Sequence, residues 1–170
     1  MELLLAVSSP AAADRSGRIR RAAAGISDWD AAMAAAREHR LDGFLADALW
    51  TSARDQVPAS LQPQLAARLT SLALAFGQQV NLLHELQATL AQSQIPSLPY
   101  KGPTLAAQLY ARPFLRPARD LDVFVPPNRL TEAIQLLASG FQTEGPVGVR
   151  PQLEHHRELR HRASGLLVEL

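Results

Sequence analysis

Between Leu61 and Leu90 apolar side chains return every three or four residues, and past residue 95 that rhythm stops. Leu61, Leu65, Leu69, Leu72, Phe76, Val80, Leu83 and Leu90 fall on one side of a single long helix. Proline at 58 and 63 marks its start, where first-turn amides have no helical partner to lose, and the pattern predicts an end near Gln94. Such a stripe must be covered by other elements, and the change of period places a boundary between a helical region, 1–94, and a mixed region, 95–170. In the first region Ser27 with Asp30 reads as a capping box for a helix through Arg40, and residues 41–50 as a second helix interrupted near Gly43. His84, beside the stripe, has no carboxylate or histidine at ligand spacing and reads as a packed or surface residue.

After residue 95 the elements are shorter. Residues 95–100 form a candidate strand whose Pro96 and Pro99 suit an edge. Gly102-Pro103 opens a helix to about Tyr110, and 121–125 is the clearest strand. Asn128 is placed to cap a helix over 129–139, with Leu130, Ala133, Ile134 and Leu137 inward and Gly140 as its left-handed stop. Residues 158–162 and 166–170 read as two strands around Ala163-Ser164-Gly165. The fold class expected is α+β: a helical N-terminal region followed by a small mixed-sheet core.

Composition limits the functions available. In 170 residues, 47% hydrophobic, there is apolar material for a packed core. Seventeen basic side chains balance sixteen acidic ones, so charge gives no reason to invoke nucleic acid or an anionic membrane as a partner. The absence of cysteine removes disulfides and thiolate metal sites and fits a cytoplasmic protein. The opening Met1-Glu2-Leu3-Leu4-Leu5-Ala6-Val7 is too short and lacks the positive charge of a secretion signal. No stretch approaches the roughly 20 apolar residues of a membrane span.

The chemistry concentrates in Arg116-Pro117-Ala118-Arg119-Asp120-Leu121-Asp122-Val123-Phe124-Val125. On a strand Asp120 and Asp122 share one face while Leu121, Val123 and Val125 point to the core. Two carboxylates held that close repel, and a divalent cation between them removes the penalty. All-oxygen ligation suits magnesium, with manganese as the alternative. Lys101-Gly102 lies where a strand gives way to a helix, so Gly102 admits a phosphate to backbone amides. Arg112, Arg116 and Arg119 approach the carboxylates from one loop and are placed either to neutralise a triphosphate or to balance the aspartates.

The stretch Leu98-Pro99-Tyr100-Lys101-Gly102-Pro103-Thr104-Leu105-Ala106, with Tyr110, Arg116-Pro117 and Asp120-Leu121-Asp122-Val123, resembles the uncharacterised bacterial nucleotidyltransferase family. The resemblance continues through Gly140-Phe141, His155-His156 and Val168-Glu169-Leu170, and the N-terminal helices resemble the family's lead-in. It implies the DNA polymerase beta-like nucleotidyltransferase fold. It also implies transfer of a nucleoside monophosphate from a nucleoside triphosphate to an acceptor that one sequence does not identify. Asp120 and Asp122 are then metal ligands and catalytic residues, and Glu169 on a neighbouring strand is the third carboxylate. Lys101, Gly102, Thr104, Arg116 and Arg119 face nucleotide phosphates, while His155 and His156 belong to a surface turn or touch nucleotide or acceptor.

Two departures qualify the pattern. The wider superfamily has Gly-Ser where this chain has Gly102-Pro103, leaving Thr104 as the nearest hydroxyl. The chain also stops at Leu170, on the strand of the third carboxylate, so a C-terminally truncated form with a fraying last strand is expected. The alternatives are a catalytically inactive nucleotide-binding or protein-interaction module, and a helical interaction protein. Consumption of nucleotide separates catalysis from binding, and metal dependence separates both from the third.

Overall fold

The computed structural model describes residues 2–8, 14–143 and 157–170; the His155-His156 pair lies outside them. Two compact units divide the chain, Met1–Leu74 and Ala75–Leu170. The architecture is α+β, with a helical N-terminal region and a small mixed sheet. The division falls within the long helix and not at its end, for a physical reason. Leu82, Leu83, Leu86 and Leu90 on its second half belong to the sheet's core, whereas Leu65 on its first half belongs to the helical core.

The first unit is built from α1 (Glu2–Ser8), α2 (Arg15–Ala24), α3 (Trp29–Glu38), α4 (Asp42–Ser52) and the start of α5 (Gln62–Gln92). Leu3, Leu4, Ala6 and Val7 of the opening apolar run are buried with Ile19, Leu45, Leu49 and Leu65. Each fully buried leucine or isoleucine contributes about 1.5–3 kcal/mol by leaving water. The cap of α3 is Asp28, not Ser27: its carboxylate accepts from the Ala31 N–H at 2.9 Å. Gly43 does not interrupt α4; it sits buried in the first turn.

Helix α5 runs 31 residues, about 46 Å at the usual rise. His84 is exposed on it. It ends without glycine: Gln94 takes φ +56°, the Ile95 N–H donates to Leu90 O at 2.9 Å, and the Gln94 N–H to Ala91 O at 2.9 Å. This is a Schellman closure, completed by the buried Leu90 and Ile95 side chains. Helix α3 stops in the same way, with Arg40 at φ +57° and the Leu41 N–H donating to Ala36 O at 2.8 Å.

The second unit carries a five-stranded sheet in the order β1-β2-β5-β4-β3. Its strands are β1 (Leu98–Pro99), β2 (Asp120–Phe124), β3 (Phe141–Thr143), β4 (Glu158–His161) and β5 (Leu167–Glu169), with α6 (Gly102–Leu109) and α7 (Leu130–Leu137) between them. β1 is an edge, as its prolines require, but only two residues of the 95–100 stretch pair as strand. β3 was not anticipated from the sequence. Asn128 is not the cap of α7; a 3-10 turn, Pro127–Arg129, precedes the helix. Gly140 does not adopt the left-handed conformation either; in this unit Gly102 and Gly165 do.

β2 and β5 run parallel, and β5 is also paired antiparallel with β4. The last strand is therefore hydrogen-bonded on both sides. Its final residue is tied twice to Arg157, the Leu170 N–H donating to Arg157 O and the reverse, each at 2.9 Å. Leu121, Val168 and Leu159 align across three strands and are nearly solvent-free, so the opposite face of the same strands is the one turned outward.

Candidate active site

The alternation of β2 puts Asp120, Asp122 and Phe124 on its outward face, while Leu121 and Val123 are buried. Register then adds a third acid. Asp122 stands opposite Glu169, and Glu169 stands opposite Glu158, so three carboxylates from adjacent strands form one row, with Asp120 beside it. Residues directly opposite have side chains about 5 Å apart at the Cβ, close enough for like charges to repel. Spacing places Asp120 and Asp122 on one face, and the pairing of β5 with β2 sets Glu169 beside them. Glu158 was not singled out, because its position depends on a pairing that no local pattern announces.

Lys101 answers part of that charge: its Nζ lies 3.4 Å from Asp122 Oδ1. At this separation, and with the lysine side chain half exposed, the pair is a loose surface contact and leaves the ammonium able to move. Among the described residues Asp120 and Glu169 have no ion pair, and no three His, Cys, Asp or Glu side chains converge closely enough to hold a metal ion. The donor set nonetheless fits a hard divalent cation. All its ligands are carboxylate oxygens, and they project from one face of neighbouring strands. Asp120, Asp122 and Glu169 are the residues that could hold it.

The supporting structure is built around Gly102. With φ +55°, it lies so close to β2 that an added Cβ would stand 3.3 Å from Asp120 O. The glycine is required by this approach of α6 to the acidic strand. Pro103 fills the first turn, buried, and Thr104 is half-buried one residue on. Arg116 donates from Nη1 to Gly102 O at 3.4 Å, so it joins the loop before β2 to the start of α6. Arg119 is exposed beside Asp120. Arg116 thus faces backbone, whereas Lys101 meets the acidic face.

One positioning residue escaped the sequence reading. Gln79 is buried on α5, and its Nε2 donates to Ala118 O at 2.8 Å. It fixes the loop two residues before Asp120. Its signal was a polar side chain between Phe76 and Val80 on the apolar stripe, since a buried amide needs a partner.

The unit thus sets a glycine-opened helix against a carboxylate-bearing strand that pairs in parallel with a second one, with Lys101 beside them. The chain belongs to a family described as uncharacterised nucleotidyltransferases, whose model matches residues 26–170. No curated protein and no solved structure matches it. No helix among the described residues is long and apolar enough to cross a membrane.

Proposed function

We propose that this protein transfers a nucleoside monophosphate from a nucleoside triphosphate to a hydroxyl or phosphate acceptor, using magnesium or manganese held by Asp120, Asp122 and Glu169. The observation that carries the reading is the register of Asp122 with Glu169, which adds a carboxylate from a second strand to the Asp120–Asp122 face of a nucleotidyltransferase-family chain. Bound there, the metal supplies charge neutralisation at the attacking and leaving oxygens. The chain's own groups do the rest. Lys101 leaves Asp122 for the triphosphate, and Arg119 meets it at the rim. The first-turn amides of Gly102 and Thr104, which lack helical partners by position, orient it. Arg116 holds the carbonyl of Gly102 and so keeps α6 in place. Glu169 takes the acceptor's proton as its oxygen bonds to the α-phosphorus and pyrophosphate departs.

A binding module without turnover is the second reading. It is favoured by Pro103, which removes a hydroxyl at the phosphate end, and by carboxylates that share a face without converging. Calorimetry separates both from a purely helical interaction role. Titrating ATP into the protein with and without magnesium should give metal-dependent binding, lost in the Asp120→Asn, Asp122→Asn double variant with the fold intact. Undiminished binding in that variant would remove the site assignment.

A further inference from the structure

Immediately beside the carboxylates lies a group of large apolar side chains that the fold leaves in water. Leu98, Tyr100 and Phe124 are 64%, 54% and 56% exposed, although Phe124 stands on the strand that buries Leu121 and Val123 and Leu98 pairs with it from β1. Phe124 follows Asp122 by two residues on β2, so the two project from one face about 7 Å apart. Leu98 is its partner across the edge strand, and the Tyr100 N–H donates to Asp122 O at 3.0 Å. The Tyr100 and Phe124 rings meet at 4.9 Å with their planes tilted by 45°. Lys101 joins this pair to the acids: its Nζ is 5.1 Å from the Tyr100 ring centre and 3.4 Å from Asp122 Oδ1. A shallow apolar groove of about 330 Å³ continues past Phe124 along Val125 and Pro126.

We infer that the Tyr100–Phe124 pair is the platform on which the base of the bound nucleotide stacks, with its phosphates directed to Lys101 and the carboxylate face. The inference rests on the nucleotidyl-transfer reading and adds the recognition of the base. Three observations select this occupant. The aromatic surface is continuous with the acidic face through Lys101 and the Tyr100 amide, as a molecule with an aromatic end and a charged end requires. The patch is made by three side chains, far below the roughly 800 Å² per partner of a stable protein interface. The row of acids beside it repels a polynucleotide backbone but admits one triphosphate that arrives with its own cations. Stacking on aromatic rings tolerates every base, so the platform confers affinity with little selectivity among the four nucleotides.

The test compares ATP and inorganic tripolyphosphate, each titrated with magnesium into the full chain. A base on aromatic rings is worth about 5- to 150-fold in affinity. ATP should therefore bind at least about five-fold tighter than tripolyphosphate, and the other three nucleotides should lie within a few-fold of ATP. Phe124→Ala should bring ATP toward tripolyphosphate while leaving tripolyphosphate unchanged, with Phe124→Leu intermediate. Equal affinities in the unaltered protein, or a variant that weakens both ligands alike, would overturn the platform while the phosphate site stands. Binding of neither ligand would overturn the nucleotidyl reading and the platform with it. Self-association abolished by Phe124→Ala, with the preference for ATP untouched, would assign the patch to a second copy of the chain and overturn the proposal.

Discussion

The helical unit and the acidic face of the sheet use their charges differently. In Met1–Leu74, carboxylates are paired with arginines. Arg20 grips Asp55 with both guanidinium nitrogens at 2.8 and 2.7 Å and also donates to Ser52 O at 2.9 Å. Arg68 meets Asp42 at 2.6 Å, and Asp14 both caps α2 and pairs with Arg21. In Ala75–Leu170 the acidic face of the sheet gathers one sign instead, with Lys101 as a loose counter-ion at 3.4 Å. Short, bidentate pairing marks a carboxylate whose work is done within the fold. A row of carboxylates held close together carries a repulsion that a bound cation would relieve, which is the reason the proposed site is placed there.

That contrast yields expectations of decreasing size. The largest concerns the glycine that lets α6 approach the acids. Gly102→Ala places a Cβ 3.3 Å from Asp120 O on a backbone at φ +55°, and should cost about 1–2 kcal/mol in denaturant unfolding along with loss of nucleotide binding. Gly140→Ala, with nothing within 4 Å of its Cβ, should leave both near their original values.

Smaller effects should have opposite signs in the two units. Without metal, Asp120→Asn relieves like-charge repulsion and should raise stability, by at most about 1 kcal/mol. Magnesium should then reverse the order by stabilising the unaltered protein alone. Asp55→Asn should lower stability, since the Arg20 guanidinium holds the Asp55 carboxyl below its ordinary value of 3.8. A depressed carboxyl contributes fully above its unfolded value, and the contribution fades as pH falls through the folded one. The stability gap between the unaltered protein and Asp55→Asn should thus be present at pH 7 and close as the solution drops below about pH 4. A gap that widens in acid would contradict this pairing.

How much of this was legible depends on the range of the interaction. The stripe of α5 and the alternation of β2 are local periods, so the long helix and the Asp120–Asp122 face were readable from residue spacing. Gln94 and Arg40 close their helices in a conformation usually signalled by glycine, so neither stop carried its usual mark. The central place of β5 and the alignment of Glu169 with both Asp122 and Glu158 arise from pairings between distant segments. Glu169 was found by resemblance, and Glu158 was not found at all. Gly102 was read as a phosphate contact, and its structural need proved to be the carbonyl of Asp120. Gln79 was hidden because its partner, Ala118 O, is a backbone atom that sequence does not flag.

The central claim is that the carboxylate face passes a nucleotidyl group, and the position of a radioactive label tests it most directly. ATP labelled at the α-phosphate, or separately at the γ-phosphate, is incubated with the full chain, magnesium and a cell extract as the source of acceptor. Unaltered protein should move the α-label onto an acceptor and release the γ-label as pyrophosphate. Glu169→Gln should slow that transfer far more than it weakens ATP binding, because the carboxylate serves the acceptor's proton in the transition state. Transfer of the γ-label instead, or full activity in Glu169→Gln, would contradict the account.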